Sequence, residues 1–112
     1  MNKSPITTHI LDTSTGKPAA NVDVKLFKHA NNEWVLLTQG QTDTDGRITD
    51  WLKHHVEFGT YKLVFDLDSY YKDQPTPAFY PQAQISFRLQ DSKHHHIPLL
   101  LSPFGYSTYR GS

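Results

Sequence analysis

Asn21-Val22-Asp23-Val24-Lys25-Leu26-Phe27 alternates polar and apolar residues as far as Leu26. Val22, Val24 and Leu26 form one row, and Asp23, Lys25 and Phe27 the other. A period of two is that of a strand with one face buried and one face wet. The same pattern returns in Tyr61, Leu63 and Phe65 after Gly59, and in Ile85, Phe87 and Leu89 set against Ser86, Arg88 and Gln90. Thr7 to Leu11 and Trp34 to Thr38 are shorter candidates of the same kind. The spaces between are turn chemistry: Asp12 to Pro18 is rich in Thr, Ser, Gly and Pro, Asn31-Asn32 suits a hairpin, and Asp45-Gly46 a second tight turn. Seven or eight strands at such spacing predict an all-β, antiparallel β-sandwich. One segment departs, Asp68 to Gln74, which reads as a short helix capped by Asp68 or Ser69 and stopped by Pro75.

The chain has 112 residues, enough for one core, so 1–112 is read as a single domain. Apolar residues are 37%, aromatics 12% and charged residues 20%, which is too aromatic and too weakly charged for a disordered chain. Eleven Lys and Arg balance eleven Asp and Glu. That leaves no electrostatic footprint for nucleic acid or an anionic membrane. No apolar run nears the ~20 residues of a membrane-spanning helix. No apolar segment follows Lys3 as in a secretory signal, so a cytoplasmic protein is the expectation. Cysteine is absent, which removes disulfides, thiol nucleophiles and cysteine-ligated zinc.

Chemistry then falls to seven histidines, a few arginines and the hydroxyls. Strand alternation puts His94, His96, Pro98 and Leu100 on one face, and His95, Ile97, Leu99 and Leu101 on the other. Pro98 lacks a ladder donor, so this strand is expected at an edge or a bulge. His94 and His96 admit three readings. They are solvent-facing, or they supply a metal-free base near neutral pH, or they hold a metal with His9 as a third ligand. His9 alone reads as a structural histidine, Arg47 after its turn as a solvated charge, and His29, His54 and His55 as exposed. Trp34 and Trp51 read as core or interface anchors. The ending from Pro103 to Ser112 is aromatic and strand-prone, where chain ends are ordinarily polar and frayed.

Several stretches together resemble the transthyretin-like 5-hydroxyisourate hydrolases of purine catabolism. Thr8-His9-Ile10-Leu11-Asp12 with Gly16-Lys17-Pro18-Ala19 is similar to the family's N-terminal signature, and Thr44-Asp45-Gly46-Arg47 to its arginine motif. Phe79-Tyr80-Pro81 and the run His94 to Thr108 resemble two further segments. Tyr109-Arg110-Gly111-Ser112 resembles the ending that separates the hydrolases from the hormone carriers of the same fold. The chain departs from the family at His95 and Phe104, where Tyr is usual. His95 points away from His96, so the first departure is expected to leave the chemistry alone.

The resemblance implies a transthyretin-like two-sheet sandwich of about eight strands with one short helix. It implies a homotetramer, a dimer of dimers with active sites in a channel between dimers, and edge strands near the C-terminus pairing between subunits. The implied catalytic residues are His9, Arg47, His96 and Ser112, with His9, Arg47 and Tyr109 contacting the substrate. The implied substrate is 5-hydroxyisourate and no cofactor is called for. A small-ligand carrier and a histidine-based metal-binding protein are the other readings.

Overall fold

Alternation along the strands becomes two facing sheets in the computed structural model, which describes residues 4–52 and 56–111. His54 and His55 lie outside the described residues. The elements run β1 (Ile6–Asp12), β2 (Lys17–Pro18), β3 (Asp23–Ala30), β4 (Glu33–Gln41), β5 (Arg47–Ile48), β6 (Gly59–Asp66), α1 (Leu67–Tyr71), β7 (Gln82–Leu89), β8 (His95–Ser102) and β9 (Gly105–Thr108). One sheet has the order β2-β1-β8-β9 with β5 also on β1, and the other β4-β3-β6-β7. Val22, Val24, Leu26, Tyr61, Leu63 and Phe65 are all fully buried. Leu26 pairs with Leu63 and Val24 with Phe65, so the predicted apolar rows face the core side by side. Ile6, Ile10, Ile97, Leu99 and Leu101 close the core from the other sheet.

One ladder is not antiparallel. β1 and β8 run parallel over seven pairs, from Ile6 against His95 to Asp12 against Leu101. A parallel pair needs a long crossover, and here the whole second sheet lies between the two strands in the chain. β8 is therefore an interior strand, between β1 and β9, so of the edge or bulge expected from Pro98 the edge is not found. The missing donor shows as a gap on the β9 side. Pairing with β9 stops at Leu99 and Thr108, then resumes in the same register at His96 and Gly111. Across the gap the Thr108 hydroxyl donates to the Pro98 carbonyl at 2.7 Å.

The helix starts earlier and ends sooner than its sequence predicted. Asp66, at the extended end of β6, is the cap, its carboxylate accepting from the Ser69 amide at 3.2 Å. Asp68 and Ser69, the predicted caps, lie inside the first turn. Leu67 and Tyr71, four residues apart on one face, are the pair that reaches the core, and the helix stops at Tyr71. Trp51 packs against the core and its indole donates to the Ile6 carbonyl. Trp34 does not: it is 37% exposed on edge strand β4, beside His29 and under the Lys62 ammonium.

The two predicted turns hold. Asn31 and Asn32 both take positive φ between β3 and β4, the geometry that a two-residue hairpin demands. Gly46, at φ 74°, turns the chain so that its carbonyl accepts from the Ile10 amide at 2.8 Å and β5 lands on β1. A Cβ there would lie 2.5 Å from the Ile10 carbonyl oxygen. Gly46→Ala is expected to cost at least about 1–3 kcal/mol from the strained φ alone. The melting temperature should drop by roughly 10 °C in thermal denaturation.

Candidate active site

The parallel ladder decides which side chains meet. β1 is central, and its outward row is Thr7, His9 and Leu11. His9 sits between Arg47 of β5 on one side and Pro98 of β8 on the other, while Thr7 sits beside His96. Residues directly across a sheet are about 5 Å apart and diagonal neighbours about 7–8 Å. Arg47, His9 and His96, from three strands and far apart in sequence, thus form a row on one sheet face. Neither histidine is fully buried and Arg47 is exposed, so a small solute can reach all three. On this register His9 and Arg47 are direct neighbours on one sheet face, not a lone strand histidine and a lone turn charge.

His9 is tuned toward its neutral form. Partial burial lowers its pKa below the usual 6.5, and the adjacent Arg47 charge lowers it further. The Asp45 main chain and the carboxylates of Asp43 and Asp45 pull the other way without reversing the shift. A neutral imidazole near pH 7 has a lone pair to accept a proton. Asp43 spends one carboxylate oxygen on the turn, accepting from the amides of Asp45 and Arg47. Among the described residues no carboxylate lies within ion-pair distance of the Arg47 guanidinium, and the residue is exposed.

His96 is held from two sides. Its Nδ1 lies 2.7 Å from the Thr7 hydroxyl, and the same hydroxyl lies 2.8 Å from His94 Nε2. From the other side the Gly111 amide donates to the His96 carbonyl at 2.7 Å, which brings the C-terminal segment across the ring. A Cβ on Gly111 would stand 2.7 Å from His96 Cδ2, so glycine is required by contact here and not by φ. Tyr109 and Arg110, between Thr108 and Gly111, line an open cleft of about 570 Å³ with Phe87 and His95 between the β7 edge and the C-terminal segment. Arg110 lies 3.7 Å from Asp91 at the exposed rim. Ser112 lies outside the described residues.

The metal reading finds no geometry. His94 and His96 turn ring nitrogens onto one hydroxyl, and among the described residues no three His, Cys, Asp or Glu converge as a metal's ligands would. His95 is buried on the opposite face, its Nδ1 donating to the Lys93 carbonyl, so it takes no part in the row.

Comparison with known proteins identifies the family. Residues 6–111 match the model of the HIUase/Transthyretin family. The chain belongs to that family. It is 41% identical to a 5-hydroxyisourate hydrolase of Salmonella typhi over 109 residues, covering 96% of this chain and 80% of that protein. It is 40% identical to the 5-hydroxyisourate hydrolase of Mus musculus, covering 97% and 96%. Among solved structures, the 5-hydroxyisourate hydrolase of Klebsiella pneumoniae superposes with a TM-score of 0.85 at 36% identity, over 96% of this chain and 98% of that one. Sea bream transthyretin in complex with thyroxine superposes with 0.90 at 29% identity, over 96% and 95%. Within the HIUase/Transthyretin family the fold alone therefore does not separate the two kinds of protein, and the residues of the site must.

Three site residues escaped the sequence. Thr7 carried a readable signal, since it is two residues from His9 on one strand face. His94 was weighed with His96 as an exposed side chain, a metal-free base or a metal ligand, but not as a partner of Thr7. Gly111 had no local signal, because what makes it necessary is a ring fifteen positions earlier. Two outcomes are expected. In an NMR titration His9 should have a pKa below 6.5, and Arg47→Gln should raise it by removing the neighbouring charge. Gly111→Ala should displace the C-terminal segment, seen as shifted His96 ring resonances, while circular dichroism stays that of the parent.

Proposed function

We propose that this member of the family is a 5-hydroxyisourate hydrolase, opening the ring of 5-hydroxyisourate to 2-oxo-4-hydroxy-4-carboxy-5-ureidoimidazoline. The observation that carries the reading is the row Arg47, His9, His96 closed by Gly111, in a chain about 40% identical to proteins of that name.

Amide hydrolysis needs an activated water, a counter-charge for the oxyanion, and a proton for the departing nitrogen. His9 and His96 flank the substrate, and one of them takes a proton from water as its oxygen attacks the ring carbonyl. Arg47 binds the substrate's oxygens and offsets the charge of the tetrahedral intermediate with its two-pronged fork. When the carbon–nitrogen bond breaks, a histidine returns the proton to the nitrogen. Tyr109 and Ser112 orient the substrate through their hydroxyls. No step calls for a metal or a cofactor.

The same reading includes assembly as a homotetramer, a dimer of dimers. Edge strands β7 and β9 are open for pairing, and Phe79, Tyr80, Phe104 and Tyr106 are 38–71% exposed as one aromatic patch. Apolar area of that kind marks an interface. Carriage of a small aromatic ligand is the second reading, favoured by the match to transthyretin with thyroxine.

The deciding experiment follows the ultraviolet decay of freshly oxidised urate with and without the protein. Accelerated decay is expected; decay at the uncatalysed rate, with thyroxine-like ligands bound, points to the carrier. His9→Asn and His96→Asn should each lower turnover by roughly 10²-fold. Arg47→Lys should lose much of kcat/KM with Tm unchanged, since a lysine offers one point charge in place of a fork. Deletion of 109–112 should abolish turnover and leave a folded sandwich, because the core strands end before it.

A further inference from the structure

The Thr7 hydroxyl stands between two imidazoles. It is 2.8 Å from His94 Nε2 and 2.7 Å from His96 Nδ1, and the two rings lie nearly parallel with centroids 6.1 Å apart. Thr7 is 1% exposed, so bulk water does not compete for the oxygen. A hydroxyl has one proton to donate and lone pairs to accept with. With these two nitrogens its only hydrogen-bond partners among the described residues, the hydroxyl donates to one of them and accepts from the other. Hence, when both rings are neutral, one of His94 Nε2 and His96 Nδ1 carries hydrogen and the other does not.

We propose that Thr7 is a positioning residue that locks His94 and His96 into a shared tautomer, both Nδ1–H or both Nε2–H, and links their protons. This deepens the hydrolase reading and rests on it. With hydrogen on His96 Nδ1, its Nε2 has the lone pair and can act as a base. With hydrogen on His94 Nε2, the His96 Nε2 carries hydrogen and can act as an acid. Passage between these states relays a proton from His96 Nδ1 through the Thr7 oxygen to His94 Nε2, with a proton gained at His96 Nε2 and one lost at His94 Nδ1.

The proton count closes. As His96 Nε2 gains the proton of water, Nδ1 releases its own to the Thr7 oxygen, whose original hydrogen passes to His94 Nε2. His96 ends neutral, and the positive charge rests one ring away from the substrate. Donation from Nε2 to the departing nitrogen reverses each transfer. Without the hydroxyl, His96 would have to hold the full charge itself and could settle in either tautomer.

The test uses Thr7→Val, which keeps the shape and removes the hydroxyl, with Thr7→Ser, which restores it. In the decay assay Thr7→Val is expected to lower kcat roughly tenfold or more with KM nearly unchanged, and Thr7→Ser to recover most of it. His94→Phe should lose about as much as Thr7→Val, and the double variant no more than either, because both cut one chain. Nitrogen-15 NMR of the imidazoles should show complementary protonation of His94 Nε2 and His96 Nδ1 in the parent, and loss of that complementarity in Thr7→Val. Parental kcat in Thr7→Val, or Thr7→Ser as damaged as Thr7→Val, overturns the proposal. So does the same protonation state at both nitrogens in the parent with the rings neutral. Should Thr7→Val fail to fold, parental kcat in His94→Phe overturns it equally. If the parent does not accelerate the decay at all, the hydrolase reading falls, and the ring spectra alone decide whether the coupling exists.

Discussion

Seven parallel pairs between β1 and β8 organise everything else in this molecule. They bury Ile6 and Ile10 beside Ile97 and Leu99 on the inner face. They also put Thr7 beside His96, and His9 beside Pro98, on the outer face. A one-residue slip would turn every side chain of one strand to the other face, sending His96 into the core and Ile97 into water. The apolar rows on the inner face make that slip prohibitive. The same hydrophobic burial that stabilises the fold therefore sets the outer face to within one side chain.

Pro98 shows how a local rule yields to this ladder. A proline inside a sheet removes a donor, which ordinarily confines it to an edge. Here the cost is limited to a gap of two residues, bridged by the Thr108 hydroxyl and closed by Gly111. The consequence is chemical as well as structural. Because pairing resumes at His96, the C-terminal segment reaches the imidazole, and the glycine in contact with the ring leaves no room for a larger residue.

The family uses one sandwich for proteins named as hydrolases and for a transthyretin seen with thyroxine, and the two superpose on this chain about equally well. The scaffold by itself thus does not set the function. Three features stand together on this face: a histidine shifted toward neutrality, an exposed guanidinium with no carboxylate partner among the described residues, and a second histidine held by a hydroxyl and a glycine.

By itself the sequence determined the strands, their buried rows and the turns, because period-two alternation and the demands of positive φ are local properties. Val22, Val24 and Leu26, the Asn31-Asn32 hairpin and the Gly46 turn were legible for that reason. His9, Arg47 and His96 were legible as a set only through the family resemblance, since 38 and 49 residues of chain separate them and no spacing rule joins them. The tertiary structure decided what depends on partners distant in the chain. It put β8 inside the sheet, moved the helix cap to Asp66, and left Trp34 on an edge. It also gave Thr7 two imidazoles and Gly111 a ring to lie against. A hydrogen bond between residues 7 and 94, or a contact between 96 and 111, has no trace in local pattern, because the energy that creates it is spent in aligning two strands that the chain brings together only after building the other sheet.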